Sequence, residues 1–101
     1  MFIMQGSTPT HTFNIPYPKN IIDKVIVTYT QEDKIVFERK DNDVIVKDYS
    51  IQVELTQENT LALDPSKMVC IQLKIKTVTG KVIPSNKLYK SVEEVLNKEV
   101  M

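Results

Sequence analysis

The stretch Val69–Thr77, which reads Val-Cys-Ile-Gln-Leu-Lys-Ile-Lys-Thr, alternates apolar and polar residues along its length. Successive side chains of a strand point to opposite faces of a sheet, so this alternation predicts a strand with one face in a core and one face in water. Val69, Ile71, Leu73 and Ile75 are then expected to point inward. The stretch therefore favours a sheet protein with one solvated face per sheet.

Shorter runs of the same kind lie on both sides of this stretch. The sequence predicts strands at residues 10–15, 24–30, 34–40, 44–46, 51–55, 69–77 and 81–92, the last of them interrupted at Pro84. The expected core is Val25, Val27, Tyr29, Ile51, Val53, Leu55, Ile71, Leu73 and Ile75, with Ile35 and Phe37 as the best inward candidates of their strand. The Tyr29 hydroxyl is expected near the rim of the core, because a buried phenol needs a hydrogen-bond partner.

Residue usage supports strands over helices. The chain has 12 Val, 11 Ile and 9 Thr among 101 residues but one Ala, and β-branched side chains pack better on a sheet than in a helix. Helical turns are expected only at residues 56–59 and 91–94, where a threonine and a serine are suited to cap a first turn. The prediction is an all-β, antiparallel β-sandwich of about seven strands, immunoglobulin-like or fibronectin-like. One cysteine and no tryptophan exclude the antibody type.

Length and charge limit the organisation of the chain. A length of 101 residues suits one domain, predicted at residues 9–101 after an N-terminal extension at residues 1–8. The 13 basic and 13 acidic residues balance, which removes a general attraction to nucleic acid or membranes. A single cysteine forms no internal disulfide, and neither a signal peptide nor a membrane span is expected. These features favour a soluble protein that is made and kept in the cytoplasm.

Residues that carry chemistry are few, and they do not form a recognisable constellation. His11 is the sole imidazole and is interpreted as a structural or surface residue, while Cys70 is interpreted as an inert thiol among polar neighbours. Asp41–Asp43 resembles the start of a calcium loop, but Val46 stands where that loop needs a glycine. We therefore predict no enzyme, no cofactor, no metal site and no small-molecule substrate.

Lysines dominate the later part of the chain. Residues 65–92 contain six lysines and no acid, and five of the lysines are candidates for a basic surface: Lys74, Lys76, Lys81, Lys87 and Lys90. Such a surface suits nucleic acid or a regulatory partner, although arginines and stacking aromatics are missing. The structural alternative is that the lysines protect exposed sheet edges from pairing with other chains.

The first four residues, Met1, Phe2, Ile3 and Met4, are apolar and precede the first predicted strand. They are expected to be exposed unless they pack on another copy or on a partner protein. Pro9 and Pro84 place the first and last strands at sheet boundaries, where a partner strand can add. The alternatives are a disordered terminus or an extra strand folded back on the chain's own sheet.

Four segments carry a resemblance to a known group of proteins. They are residues 5–13, residues 24–29, residues 55–60 and the Ile71-Gln72-Leu73 triplet with the later Thr79-Gly80 pair. Together they resemble small, functionally uncharacterised β-sandwich proteins encoded by phages and prophages of anaerobic Gram-positive bacteria. The resemblance spans nearly the whole chain, and it implies a virion component of the head or tail. It implies no functional residue.

Two functions from different classes remain open at this point. The first is a non-catalytic structural or interaction protein that self-associates or docks on protein partners, since short sheet domains with exposed edges suit repeated assembly. The second is a nucleic-acid or regulatory-partner binding module that uses the lysine-rich surface. Binding to phosphates weakens steeply with salt, whereas an apolar interface does not, so salt dependence separates the two.

Overall fold

Nine strands and one short helix follow one another in the structure, a computed structural model that describes residues 2–101. The strands are β1 (Phe2–Met4), β2 (Thr10–Asn14), β3 (Ile22–Gln31), β4 (Lys34–Lys40), β5 (Val44–Lys47), β6 (Ser50–Glu54), β7 (Val69–Thr77), β8 (Val82–Pro84) and β9 (Leu88–Glu93). The helix α1 (Gln57–Leu61) joins β6 to β7. Thr56 caps α1 as predicted, because its side chain accepts a hydrogen bond from the Asn59 amide at 3.1 Å.

The strands form two sheets whose order identifies the fold. The larger sheet has the order β1-β9-β7-β3-β4, with β8 also paired to β7, and the smaller sheet has the order β2-β6-β5. Only the short β1 runs parallel to its neighbour, β9; all other pairs in residues 2–101 are antiparallel. Strands B, E and D on one sheet and G, F, C and C′ on the other are the immunoglobulin variable-type arrangement, which these two sheets follow. The predicted all-β, immunoglobulin-like sandwich is confirmed.

The core lies between the inner faces of the two sheets. All nine residues predicted for it are buried, and so are Ile3, Ile15, Val44, Leu63, Val69 and Val92. The alternation of the strands explains this agreement, since every second residue of β3, β6 and β7 points to the same inner face.

The β3–β4 hairpin departs from the prediction at one residue. Glu32 and Asp33 form its two-residue turn with φ angles of 50° and 63°, as a type I′ turn requires. The register then shifts between Tyr29 and Thr30, so Tyr29 faces Phe37 while Thr30 faces Ile35. The prediction for Ile35 was wrong because this bulge turns the side chain outward, where it is 60% exposed.

The N-terminal residues belong to the sandwich instead of preceding it. Phe2–Met4 pairs with residues 91–93 of β9, and Ile3 is only 2% exposed in the core. The Gln5 side chain secures this strand by donating to the Leu63 carbonyl at 2.8 Å. Residues 2–4 are therefore part of the domain and not an N-terminal extension. Ile3 was expected to be exposed to a partner, but it is buried in the core. Met1 lies outside the described residues.

The last strand divides where Pro84 interrupts it, as predicted. The β8 and β9 segments both pair with β7, and Ser85 between them exchanges hydrogen bonds with the backbone of Leu73. Because β1 covers the other side of β9, β9 is not the edge strand that was expected. The predicted helical turn at residues 91–94 is also wrong, since Val92 continues the strand and is buried. No helix within residues 2–101 is long and apolar enough to cross a membrane.

Candidate binding face

The outward-facing side chains of the larger sheet form one broad surface, here called the outer face. Because Ile71, Leu73 and Ile75 point inward, the alternate residues of β7 point outward, and their partners on β3 and β9 point the same way. The outer face includes Cys70, Gln72, Lys74 and Lys76 of β7, Lys24, Ile26, Thr28 and Thr30 of β3, Glu38 and Lys40 of β4, and Tyr89 of β9. Strand alternation alone thus brings residues from distant parts of the sequence into one plane.

One end of the outer face is apolar. Ile3 and Val92 point inward, so Phe2 and Met4 project outward next to the end of the sheet where β7 begins. Met68 precedes β7 and Tyr89 pairs with Cys70 at the same end. Phe2 is 53% exposed, Met4 39%, Met68 53% and Tyr89 62%, and we call this group the apolar end.

A shallow depression of about 550 Å³ lies beside the apolar end. Its lining includes Thr28, Thr30, Cys70 and Gln72 from the sheet and Met68, Lys87 and Tyr89 from its borders. On its rim Lys67 forms salt bridges with Glu32 at 3.2 Å and Asp64 at 3.7 Å. Hydrogen bonding and charge from Glu32 raise the pKa of Lys67, and hydrogen bonds from Ser66 lower the pKa of Asp64.

The loop before β7 is held in place by a buried amide. Gln31 is buried, and its Nε2 donates to the carbonyls of Asp64 and Lys67 at 2.9 and 3.1 Å, while its Oε1 accepts from the Asp64 amide at 2.8 Å. A buried amide that uses both ends in this way fixes the backbone around it. The rim of the depression is therefore preorganised.

The structure separates the five lysines of the predicted basic surface. Lys74 and Lys76 project from the outer face near the end of β7, and Lys87 lines the depression. Lys81 follows the β7–β8 turn, where its amide donates to the Thr77 hydroxyl at 3.1 Å. Lys90 pairs with Val69, which points inward, so it lies on the opposite side of the sheet near His11. The five do not form one surface.

Two further lysines, which the sequence analysis missed, stand beside Lys74 and Lys76. Ile26 of β3 pairs with Lys74 on one side and with Lys40 of β4 on the other, and Lys24 pairs directly with Lys76. We call Lys24, Lys40, Lys74 and Lys76 the lysine patch. The alternation of residues 24–30 predicts that Lys24 points to the face of the strand opposite to Val25 and Val27. The pairing of this strand with β7, which brings Lys24 next to Lys76, has no local sequence signal.

His11 lies between the sheets, as a structural residue. Its Nδ1 shares a hydrogen bond of 2.7 Å with the Tyr29 hydroxyl, and the Tyr29 ring stacks on Phe37 with centroids 4.4 Å apart. Tyr29 is buried in the core as expected, and its hydroxyl finds the partner that a buried phenol needs in His11, which is partly exposed. Burial raises the pKa of Tyr29. Burial, and then the nearby charge of Lys90, lowers the pKa of His11 to about 4.

We expect stability to fall as the pH is lowered from 7 to 5. The unfolded chain takes up a proton on His11 near pH 6.5, whereas the folded chain does so near pH 4, so acid favours the unfolded state in this range. The expected loss is about 1–2 kcal/mol because the ring keeps part of its contact with water. Urea unfolding at pH 7, 6 and 5 measures it. In His11→Gln, which retains an acceptor for Tyr29, the loss should largely disappear; equal pH slopes in both proteins would refute the assignment.

Within the described residues, Cys70 and the turn at Asp41–Asp43 do not belong to a cluster of catalytic or metal-binding side chains. Cys70 is partly buried in the floor of the depression and forms no disulfide. Asp41–Asp43 forms a single 3₁₀ turn, in which the Asp41 carboxylate accepts a hydrogen bond from the Val25 amide at 3.3 Å. Within residues 2–101, His, Cys, Asp and Glu side chains form no group of three that would hold a metal ion.

Comparisons with known proteins add little to the evidence for the fold. No protein-family model and no curated protein matches the chain. Among solved structures, the chain is similar to the V domain of amphioxus IgVJ-C2, with 14% identity and a TM-score of 0.38 over 91% of this chain and 98% of that one. The immunoglobulin-like fold rests on the strand order and not on this likeness.

Proposed function

We propose that this protein is a non-catalytic binding module that docks into a larger protein assembly through the outer face of its larger sheet. The observation that carries the proposal is the apolar end, where Phe2, Met4, Met68 and Tyr89 expose large side chains together. A contiguous group of exposed apolar side chains with a polar border is typical of an interaction site. Aromatic and methionine side chains are also enriched in protein interfaces.

The other broad face of the sandwich supports this choice by contrast. The outward residues of the smaller sheet are Thr10, Thr12, Asn14, Ile45, Lys47, Ser50, Gln52 and Glu54, all but one of them polar. Ile45 stands alone among them, and isolated exposed apolar residues are ordinary. The outer face therefore has the cluster of exposed apolar side chains that a protein interface needs, and the outward surface of the smaller sheet does not.

The proposed lack of catalysis follows from where the reactive groups lie. The imidazole of His11 is engaged with Tyr29 between the sheets, and Cys70 lies some distance from it on the other side of the larger sheet. A nucleophile and its base must come within hydrogen-bond reach, and these two groups face opposite sides of a sheet.

A finer proposal is that the assembly is a phage or prophage virion, with the protein made in the cytoplasm of the host cell. It rests on the resemblance described above. The outer face gives it a physical basis, since one docking surface and a folded N-terminus suit a small component added to a head or tail.

Sedimentation of the protein in lysates of cells that naturally produce it tests the docking proposal. The tagged wild type is expected to sediment with a large assembly, and the double variant Phe2→Ser/Tyr89→Ser is expected to remain in the light fraction. The matched control is Ile45→Ser/Tyr49→Ser, since these residues are 56% and 58% exposed and lie away from the outer face. A wild type that sediments as a free monomer, or a control that is released equally, would refute the proposal.

The same gradient tests the finer proposal. After prophage induction, the wild type should peak with particles that contain phage DNA. Docking into an assembly without phage proteins would retain the binding module and refute the virion role.

A further inference from the structure

The lysine patch concentrates four positive charges on three neighbouring strands. Lys24 and Lys76 are direct partners, and Lys40 and Lys74 both pair with Ile26. Neighbouring strands lie about 4.8 Å apart, and alternate residues of a strand about 6.6 Å apart, so the four Cα atoms fall within roughly 10 by 7 Å. The spacing gives a dense positive surface on a chain whose formal net charge is zero.

Within residues 2–101, no acid lies within salt-bridge distance of these lysines, and Asp23 and Asp41 line one depression together with Lys24. The salt bridges in residues 2–101 involve Lys67 and Lys98 and no residue of the lysine patch. The outward acid of β4, Glu38, is hydrogen-bonded by Thr28 Oγ1 at 3.4 Å. Like charges directly opposite each other on paired strands destabilise a sheet, so the Lys24–Lys76 pair costs stability.

Protection of a sheet edge does not account for the patch. Lysines discourage unwanted pairing when they stand on an edge strand, but β3 and β7 are interior strands of the larger sheet. Three of the four lysines stand on these two strands. A bound group of negative charges would relieve their repulsion.

The surroundings of the patch favour carboxylates over phosphates. Its centre is Ile26, and Val82 and Pro84 of β8 pair with Lys76 and Lys74 on the other side of β7, so apolar side chains lie within and beside the patch. Arg39, the single arginine of the chain, pairs with Val27 and points inward. A nucleic-acid surface uses arginines and stacking aromatics, which the patch does not have.

We propose that the lysine patch binds an acidic segment of a partner protein, with Asp or Glu carboxylates against the four lysines and an apolar side chain over Ile26. The proposal rests on the proposed function and specifies the chemistry of the partner. The apolar end lies at the other end of β7, about 20 Å away at roughly 3.3 Å per residue, so one partner can contact both.

Fluorescence anisotropy with defined probes tests the proposal. The probes are a labelled 16-residue peptide with three glutamates for each leucine, and a labelled 16-nucleotide single-stranded DNA. The test variant is Lys74→Gln/Lys76→Gln, and Lys47→Gln/Lys98→Gln is the control with the same change in net charge. We expect the test variant to weaken peptide binding about tenfold and the control less than about twofold, since only the test variant removes two charges that contact the peptide and each exposed charge contact contributes modestly.

Each of four other results would overturn the inference. Tighter binding of DNA than of the peptide, lost in the test variant, would assign the patch to nucleic acid. Equal weakening by the control would show a net-charge effect. Self-association of the free protein that the test variant abolishes would make a second copy the occupant. Failure of the peptide to bind while Phe2→Ser/Tyr89→Ser still releases the protein from its assembly would refute this inference alone and leave the proposed function standing.

Discussion

Replacing Tyr29 with alanine is expected to destabilise the protein by about 3–5 kcal/mol, the range for removing a large buried aromatic side chain. Tyr29 is fully buried, stacks on Phe37 of the same sheet, and shares a 2.7 Å hydrogen bond with His11 of the other sheet. The change removes the ring that packs on Phe37, and it leaves the His11 ring without its hydrogen-bond partner. Domains of this size have about 5–15 kcal/mol of total stability, so the loss is a large fraction of it.

Urea unfolding followed by circular dichroism measures this loss, and two variants make the result specific. Tyr29→Phe removes the hydroxyl alone and should cost about 1–2 kcal/mol, so it reports the hydrogen bond even if Tyr29→Ala does not fold. Tyr49→Ala changes an exposed tyrosine and should cost less than about 0.5 kcal/mol. Similar losses for Tyr29→Ala and Tyr49→Ala would contradict the buried position of Tyr29.

The second large effect is expected at Ile3. Ile3→Ala should cost about 2–4 kcal/mol because Ile3 packs in the core from β1, although it is the third residue of the chain. Phe2→Ala is the matched control, since Phe2 is the neighbouring residue of the same strand but projects into solvent. Phe2→Ala should lower the free energy of unfolding by less than about 1 kcal/mol. If Ile3→Ala were neutral, residues 2–4 would not form part of the folded sandwich.

The strands that alternate strongly were predictable because their pattern is local. Residues 24–30, 51–55 and 69–77 each carry their inward and outward assignments in their own sequence, and their core residues are buried as expected. The prediction for Ile35 was wrong because a bulge shifts the register of β3 and β4 by one residue. A one-residue shift reverses the face of a side chain, and alternation alone does not reveal it.

The N-terminal strand could not be predicted because its partner is distant. Phe2–Met4 pairs with residues 91–93, and nothing in a three-residue apolar run identifies a partner at the other end of the chain. The lysine patch could not be predicted for the same reason, because it depends on the pairing of strands that are distant in the sequence. The alternation of their own strand places Lys74 and Lys76 on one face, whereas Lys24 and Lys40 join them only because β3 lies between β4 and β7.

His11 and Tyr29 give the sandwich a contact between its sheets that the sequence pattern did not reveal. In antibody domains a disulfide joins the two sheets and packs against a tryptophan on the third strand. This chain has one cysteine and no tryptophan. Tyr29 lies on that third strand, and its hydrogen bond to His11 of β2 connects the sheets instead. A polar contact in the core makes this connection sensitive to pH, which a disulfide is not.

Photo-crosslinking at two positions tests most directly whether the outer face is the docking surface. A photoreactive phenylalanine analogue replaces Tyr89 on the outer face or, in a matched protein, Tyr49 away from it; both side chains are well exposed. In cells that naturally produce the protein, we predict one defined protein adduct from position 89 and none of comparable yield from position 49. Adducts from position 49 alone, or the same adducts from both positions, would contradict the assignment of the docking surface to the outer face.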